Sequence, residues 1–300
     1  MKNRDINLDC WICNGKNNYN TVLSSTIPNS SVYNADIFSA RRLPDLMHGT
    51  VVKCKKCGLY RTLELVDATV INHLYRKSKF CYGNITSNLE KSYHEVIKRS
   101  LKFLTSREVF CEIGCGNGFL FTSARELGFK KVIGVEPSKD AVSKASKSDK
   151  RNIVMEVFRE GLIPDKSIDL ICAFQVFDHI QDPCKFLTIC KKILKPSGVI
   201  VLMNHDVEAP LVKILRGRHP IFDIEHTYLY SPSTIKMAFS KVGFKVKEVY
   251  SPPSFFSVRH LVYLFPFPKV FKNFLINSKC KFLDISIKLK PGNVCAMACL

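Results

Sequence analysis

The segment VFCEIGCGNGFLF, residues 109–121, constrains this chain most. An apolar run that reads as a strand leads into Gly114, Gly116 and Gly118. Glycines so placed let the backbone turn tightly and approach a ligand, and the helix that follows points free amides back at the turn. A GxGxG pattern alone says little; the chain downstream gives it force. From Val109 to Met203 short apolar runs alternate with amphipathic helices, the pattern of a parallel sheet wound with crossovers. It predicts strands at Val109–Ile113, Lys131–Val135, Asn152–Val157, Ile168–Phe174 and Gly198–Met203, with helices beginning near Gly118, Lys139 and Pro183. The second strand ends in Glu136, twenty residues after Gly116, where a carboxylate can accept hydrogen bonds from both hydroxyls of a ribose. Such a pocket holds a nucleoside; the spacing leaves open a dinucleotide or S-adenosylmethionine.

Three hundred residues suit one such core plus attachments. The expected fold class is α/β: a Rossmann-like, seven-stranded, mostly parallel sheet with helices on both faces and a small N-terminal zinc-binding module. Residues 1–65 form that module. Residues 66–105 form a helical lid or linker, because Val66, Val70, Ile71 and Leu74, then Tyr93, Ile97, Leu101 and Leu104, recur at helical spacing. The nucleoside-binding core spans 106–205. Residues 206–300 supply a substrate-side insertion and the elements that complete the sheet. Among these are a helix capped by Ser231 or Ser233 and stopped by Gly243, a strand at Lys245–Tyr250 and a last strand in GNVCAMACL.

Cys10 and Cys13 make one CxxC, and Cys54 and Cys57 another. Two such knuckles supply four thiolates in tetrahedral array, a closed structural zinc site with no open position for catalysis. The remaining cysteines, Cys111 and Cys115 among them, read as buried thiols. The polar start MKNRDINLDC lacks the apolar core of a secretory signal, so a cytoplasmic protein is expected.

A formal charge of +19 points to anionic partners: phosphates, nucleotide-sugars, anionic lipid or nucleic acid. The lysines are dispersed, and a solvated basic surface accounts for them equally well. No apolar run reaches the roughly 20 residues of a membrane span. The nearest, residues 254–268, reads as a packed helix, a homodimer contact or a peripheral membrane contact.

Taken together, ExGxGxG, the acidic end of the second strand, and the segments IDLICAFQVFDHIQDP and LKPSGVIVLMN resemble the class I S-adenosylmethionine-dependent methyltransferases over about residues 109–204. The resemblance implies that Glu112, Gly114, Cys115, Gly116 and Gly118 line the methionine and ribose of S-adenosylmethionine and that Glu136 binds its ribose hydroxyls. Gln175 belongs to the same cofactor set, and Phe158 stacks where relatives carry an acidic residue near adenine. The paired cysteines ahead of such a core, with FDIEHTYLYSPSTIKMAFSKVGF and IKLKPGNVCAMA, are similar to sugar C-methyltransferases of nucleotide-linked deoxysugars and related glycan enzymes. That similarity implies His226 as the base, Glu225 as its supporting carboxylate, and His179 and Tyr228 as substrate contacts. Tyr75 and Tyr82 sit in the helical lid, where they read first as packing residues and second as side chains that reach the cofactor.

The expected function is therefore methyl transfer to carbon or oxygen of a small, anionic or sugar-linked acceptor. An RNA methyltransferase is the alternative enzyme, disfavoured because basic residues interleaved with aromatics are missing near the cysteines and no Asn-Pro-Pro-Tyr motif occurs. A cofactor-binding scaffold without catalysis is the alternative outside enzymes.

Overall fold

The computed structural model describes residues 9–27, 47–64, 66–80, 86–264, 275, 278 and 280–300. Tyr82 and residues 265–268 of the apolar segment lie outside them. The chain opens with β1 (Tyr19–Leu23), β2 (Val51–Cys54) and β3 (Tyr60–Thr62), then α1 (Ala68–Lys77) and α2 (Thr86–Ser100). The core follows as β4 (Val109–Ile113), α3 (Phe121–Glu126), β5 (Lys131–Val135), α4 (Lys139–Ser143), α5 (Lys147–Lys150), β6 (Ile153–Val154), β7 (Ile168–Phe174), α6 (Pro183–Ile193) and β8 (Leu194–His205). It ends with α7 (Pro210–Leu215), β9 (Tyr228–Leu229), α8 (Pro232–Lys241), β10 (Lys245–Tyr250), β11 (Ser254–Ser257), α9 (Val258–Leu264), β12 (Ser286–Leu289) and β13 (Asn293–Cys299).

Seven strands make the central sheet in the order β10-β13-β8-β7-β4-β5-β6. All neighbours from β8 to β6 pair in parallel, and β13 runs antiparallel to both β8 and β10. Every residue of β7, IDLICAF, is buried, as a strand covered on both faces requires. Its side chains alternate between two apolar layers. Ile171 and Ala173 pack with Phe186 and Phe239 of α6 and α8, while Leu170 and Cys172 pack with Tyr93, Ile97 and Phe121 of α2 and α3. The chain winds from β4 outward to β6 on one side and from β7 to β8 on the other. The β4/β7 boundary is thus the switch point, beyond whose carboxyl ends a crevice opens.

Where sequence expectation and structure differ, local geometry explains it. β6 is two residues rather than six, because this edge strand has a partner on one side only and Glu156 N turns back to Val154 O at 2.9 Å. α3 starts at Phe121 instead of Gly118: Gly118 sits at φ 74°, a left-handed conformation that belongs to the preceding turn. β8 is longer than its apolar run because β13 pairs along it from Val199 to His205 and β7 reaches Leu194. Ser231 caps α8, and Thr234 answers it in a capping box.

The N-terminal strands do not stand apart. They form a four-stranded sheet, β1-β2-β3-β9, whose last strand comes from far along the chain, with Arg61 opposite Tyr228. Cys10, Ile12, Cys54 and Leu59 are buried in the same apolar layer as Ile171 and Phe239. Among the described residues no helix is long and apolar enough to cross a membrane.

Candidate functional site

A cavity of about 1810 Å³ lies at the carboxyl ends of β4, β5, β7 and β8. Of the glycine loop, Gly114 forms its wall. Gly114 sits at φ 75°, and a Cβ there would come within 2.5 Å of Val176, so only glycine fits between strand and cavity. Glu136 is 9% exposed and also faces the cavity. Its Oε2 accepts from Gly116 N at 2.9 Å and its Oε1 from Ser138 N at 2.8 Å. The second strand's carboxylate thereby fastens the loop while keeping a lone pair on each oxygen. Burial pushes its pKa up, and those two amides oppose the shift.

Phe158 and Gln175 also reach the cavity wall. Phe158 packs on Phe186 with ring centroids 5.3 Å apart. Gln175 has φ 56°, a conformation that non-glycine residues adopt at a cost and that gathers at functional sites. Its Oε1 is buried without a hydrogen-bond donor among the described residues. Four predicted cofactor residues take other positions, Gly118 among them, packed against the Phe121 ring. Cys115 is fully buried, its sulfur pressed against Gly134 of β5 rather than the cavity. Glu112 is 2% exposed behind the loop, where burial and the nearby Glu136 raise its pKa well above the carboxylate norm. Gly116 is covered by the Phe80 ring, whose Cε2 lies 2.6 Å from where a Cβ would stand.

Across the cavity, the loop after β7 and the turn before β9 bring Asp178, His179, Glu225 and His226 together. Asp178 is 1% exposed. Its Oδ1 accepts from Asn204 Nδ2 at 2.8 Å, and no donor among the described residues reaches its Oδ2. That oxygen faces His226 Nε2 at 3.5 Å. His226 Nδ1 lies 2.7 Å from the Ile221 carbonyl. A carbonyl only accepts, so Nδ1 carries a hydrogen, and Nε2 is the ring nitrogen turned towards the carboxylate. Burial raises the Asp178 pKa, but His179, His226 and His205 together outweigh it and hold the carboxyl below its usual value.

The His179 ring lies beside that of His226, tilted by 52° with centroids 4.8 Å apart. Its Nδ1 shares a hydrogen bond with Tyr75 Oη at 3.1 Å and lies 3.9 Å from Glu225 Oε2. Asp178 thus faces both rings, its Oδ1 lying 3.7 Å from His179 Nε2 as its Oδ2 faces His226, and Glu225 reaches His179 from the Nδ1 side. Both Glu225 and His226 donate their backbone N–H to Asp223, to the side chain and the carbonyl respectively, in a tight turn. Tyr228 is not a cavity residue: it is buried 6.3 Å from the Trp11 ring, in the layer beneath. Asp178, Asn204 and Tyr75 are contributions the sequence reading left in the background, and the Asp-His doublet of FDHIQDP was the available signal.

The four predicted zinc cysteines also converge. Cys10 and Cys57 sulfurs lie 3.4 Å apart, Cys13 and Cys54 3.6 Å, and all four fall within 4.8 Å of one another. Tetrahedral zinc with Zn–S near 2.3 Å places sulfurs about 3.8 Å apart, so the donor set fits. Both knuckles close in the same way: Asn14 N donates to Cys10 O at 2.8 Å and Gly58 N to Cys54 O at 2.9 Å.

This sheet, with its reversed strand, glycine loop and ribose-spaced carboxylate, is that of a class I S-adenosylmethionine-dependent methyltransferase domain. Residues 85–249 match the family model described as a methyltransferase domain, more than half of the chain, which belongs to that family. The ubiquinone biosynthesis O-methyltransferase of Rhodopseudomonas palustris (strain TIE-1) is 33% identical over 95 residues, 30% of this chain and 37% of the relative. A probable S-adenosylmethionine-dependent methyltransferase of Mycolicibacterium smegmatis is 24% identical over 156 residues, 52% of this chain and 59% of the relative. The chain thus spans from about a third to three-fifths of the length of these curated relatives. A solved S-adenosylmethionine-dependent methyltransferase from Aquifex aeolicus aligns at 17% identity and a TM-score of 0.46, over 71% of this chain and 92% of that one.

Proposed function

We propose that this protein is an active methyltransferase that moves the methyl group of S-adenosylmethionine to a hydroxyl oxygen or acidic carbon of a small molecule. Gly114 and Glu136 would hold the ribose and methionine end of the cofactor, Gln175 would offer its unmatched Oε1 to a donor there, and Phe158 would pack on the adenine side. Glu112, Cys115, Gly116 and Gly118 support the loop from behind. When bound, the sulfonium supplies an electrophilic methyl carbon; the chain's own task is to align the acceptor and take its proton.

The observation that carries this reading is the facing pair of His226 Nε2 and Asp178 Oδ2 at 3.5 Å. Taking the acceptor's proton on Nε2 gives the buried carboxylate oxygen the donor it lacks, so the imidazolium is stabilised where it forms. Asn204 holds Asp178, the Ile221 carbonyl holds the tautomer, and His179, steadied by Tyr75 and Glu225, contacts the acceptor. The cofactor-binding scaffold is disfavoured by the same pair, since a scaffold has no need of an oriented base. A His226→Ala protein should bind the demethylated cofactor as the wild type does and lose about 10²–10⁴ in turnover; unchanged turnover would remove His226 as the base.

The acceptor head is a small group that fits beside these histidines. The sugar and glycan precursors suggested by the paired cysteines and by EHTYLYS satisfy that, and oxygen methylation is the form the ubiquinone-pathway relatives carry in their names. The four cysteines hold a structural zinc in this account.

A further inference from the structure

Among the described residues, seven of the eleven large apolar side chains exposed to solvent lie on two short segments. Leu211, Ile214 (75% exposed) and Leu215 belong to α7, and Phe282 (64%), Ile285, Ile287 and Leu289 to β12 and the turn before it. The two segments are neighbours, since Asp206 N donates to Gly292 O at 2.8 Å and a Cβ on Gly292 would come within 2.7 Å of Ala209. Both rim the cavity, which Leu211, Leu215 and Leu289 help to line. Interleaved with them are Lys213, Arg216, Arg218, Lys288 and Lys290, all exposed and none ion-paired among the described residues. The one acid in these stretches, Asp284, is held by Arg259. By contrast, the apolar segment at 254–262 is half-buried: Ser254 is buried, the residues after it are partly covered, and Phe255 N donates to Ser92 Oγ of α2 at 2.8 Å.

Apolar side chains alternating with cations at a cavity mouth match an anionic lipid interface, where the former insert and the latter meet headgroups. A second copy of the chain is a poor occupant, because a two-fold contact would set these five cations against the same five. We propose that this rim docks on an anionic membrane surface, and that the acceptor is an amphiphile whose apolar tail leaves the cavity between α7 and β12 while its head sits beside His179 and His226. The placement of the head rests on the methyltransferase reading above; the docking face does not.

The full chain should co-sediment with phosphatidylcholine vesicles containing phosphatidylglycerol and much less with phosphatidylcholine alone. An Ile214→Glu/Ile287→Glu variant, altered only at exposed positions, should lose about tenfold or more of that binding while melting at the same temperature and keeping its affinity for the demethylated cofactor. A dansylated undecanoate should brighten on the wild-type chain with the demethylated cofactor present. Failure of the wild type to pellet with anionic vesicles, equal pelleting of the variant, or a wild-type dimer that the variant dissolves would overturn the docking face. No response from the alkyl probe would overturn the tail. Loss of cofactor binding by the wild type would strike the methyltransferase reading and leave the vesicle result standing.

Discussion

At the scale of single residues, Asp178, which faces both histidines, should matter more than Glu225, which reaches His179. Asp178→Asn should retain cofactor affinity yet lose about 10² or more in turnover, because the imidazolium on His226 would face a neutral amide. Glu225→Gln, acting at 3.9 Å on His179, should cost less and show mainly in KM for the acceptor. Comparing the two variants by steady-state kinetics tests the assignment, and a larger kcat loss in Glu225→Gln would reverse it. Glu136→Gln should weaken binding of the demethylated cofactor about 10–100-fold, the value of one or two charged hydrogen bonds, measured by calorimetry. Sequence showed the presence of these groups but not their pairing. Sequence adjacency of Glu225 and His226 does not say where either side chain points, and the Asp223 turn sets that direction.

Elements were legible in proportion to burial and length. β4, β5, β7 and β10 fall on their predicted bounds: the first three lie inside the sheet and read as apolar runs, and the edge strand β10 alternates as KVKEVY. β1, β3 and β9 are only two to five residues long, so nothing in the sequence announces a sheet that joins residues 60–61 to 228–229. One tie between elements is testable through pH. Glu248 of β10 is held by Arg99 of α2 and by Lys102, which bring its carboxyl down to about 2. Since the folded value is depressed, the stabilisation is full above the unfolded value near 4.3 and fades as pH falls towards about 2. Glu248→Gln should therefore lower stability by about 0.5–1 kcal/mol at pH 7 and match the wild type near pH 2, as read by thermal melts; a difference that persists in acid would contradict the pair.

For the whole molecule, the notable fact is that the cysteine cluster and the histidine cluster are two ends of one structure. Trp11, between Cys10 and Cys13, packs on Phe177 with centroids 6.4 Å apart, one residue from Asp178. Thr62 of β3 donates its hydroxyl to the His226 carbonyl at 2.9 Å and its N–H to Thr227 O at 3.0 Å. Cys54→Ser should thus release zinc, lower the melting temperature because metal binding and folding are coupled, and also reduce turnover with little change in cofactor affinity. Zinc content by mass spectrometry alongside activity checks this, and full activity in a zinc-free protein would separate the two clusters. That coupling could not be read from the sequence, in which Thr62 and His226 lie 164 residues apart.

The central claim, a pocket for S-adenosylmethionine at the switch point of the sheet, is tested most directly by calorimetric titration of the full chain with S-adenosylhomocysteine. The account predicts saturable binding at a single site, sharply weakened in Glu136→Gln and unaffected in His226→Ala. A wild-type chain that takes up neither this molecule nor S-adenosylmethionine would contradict it.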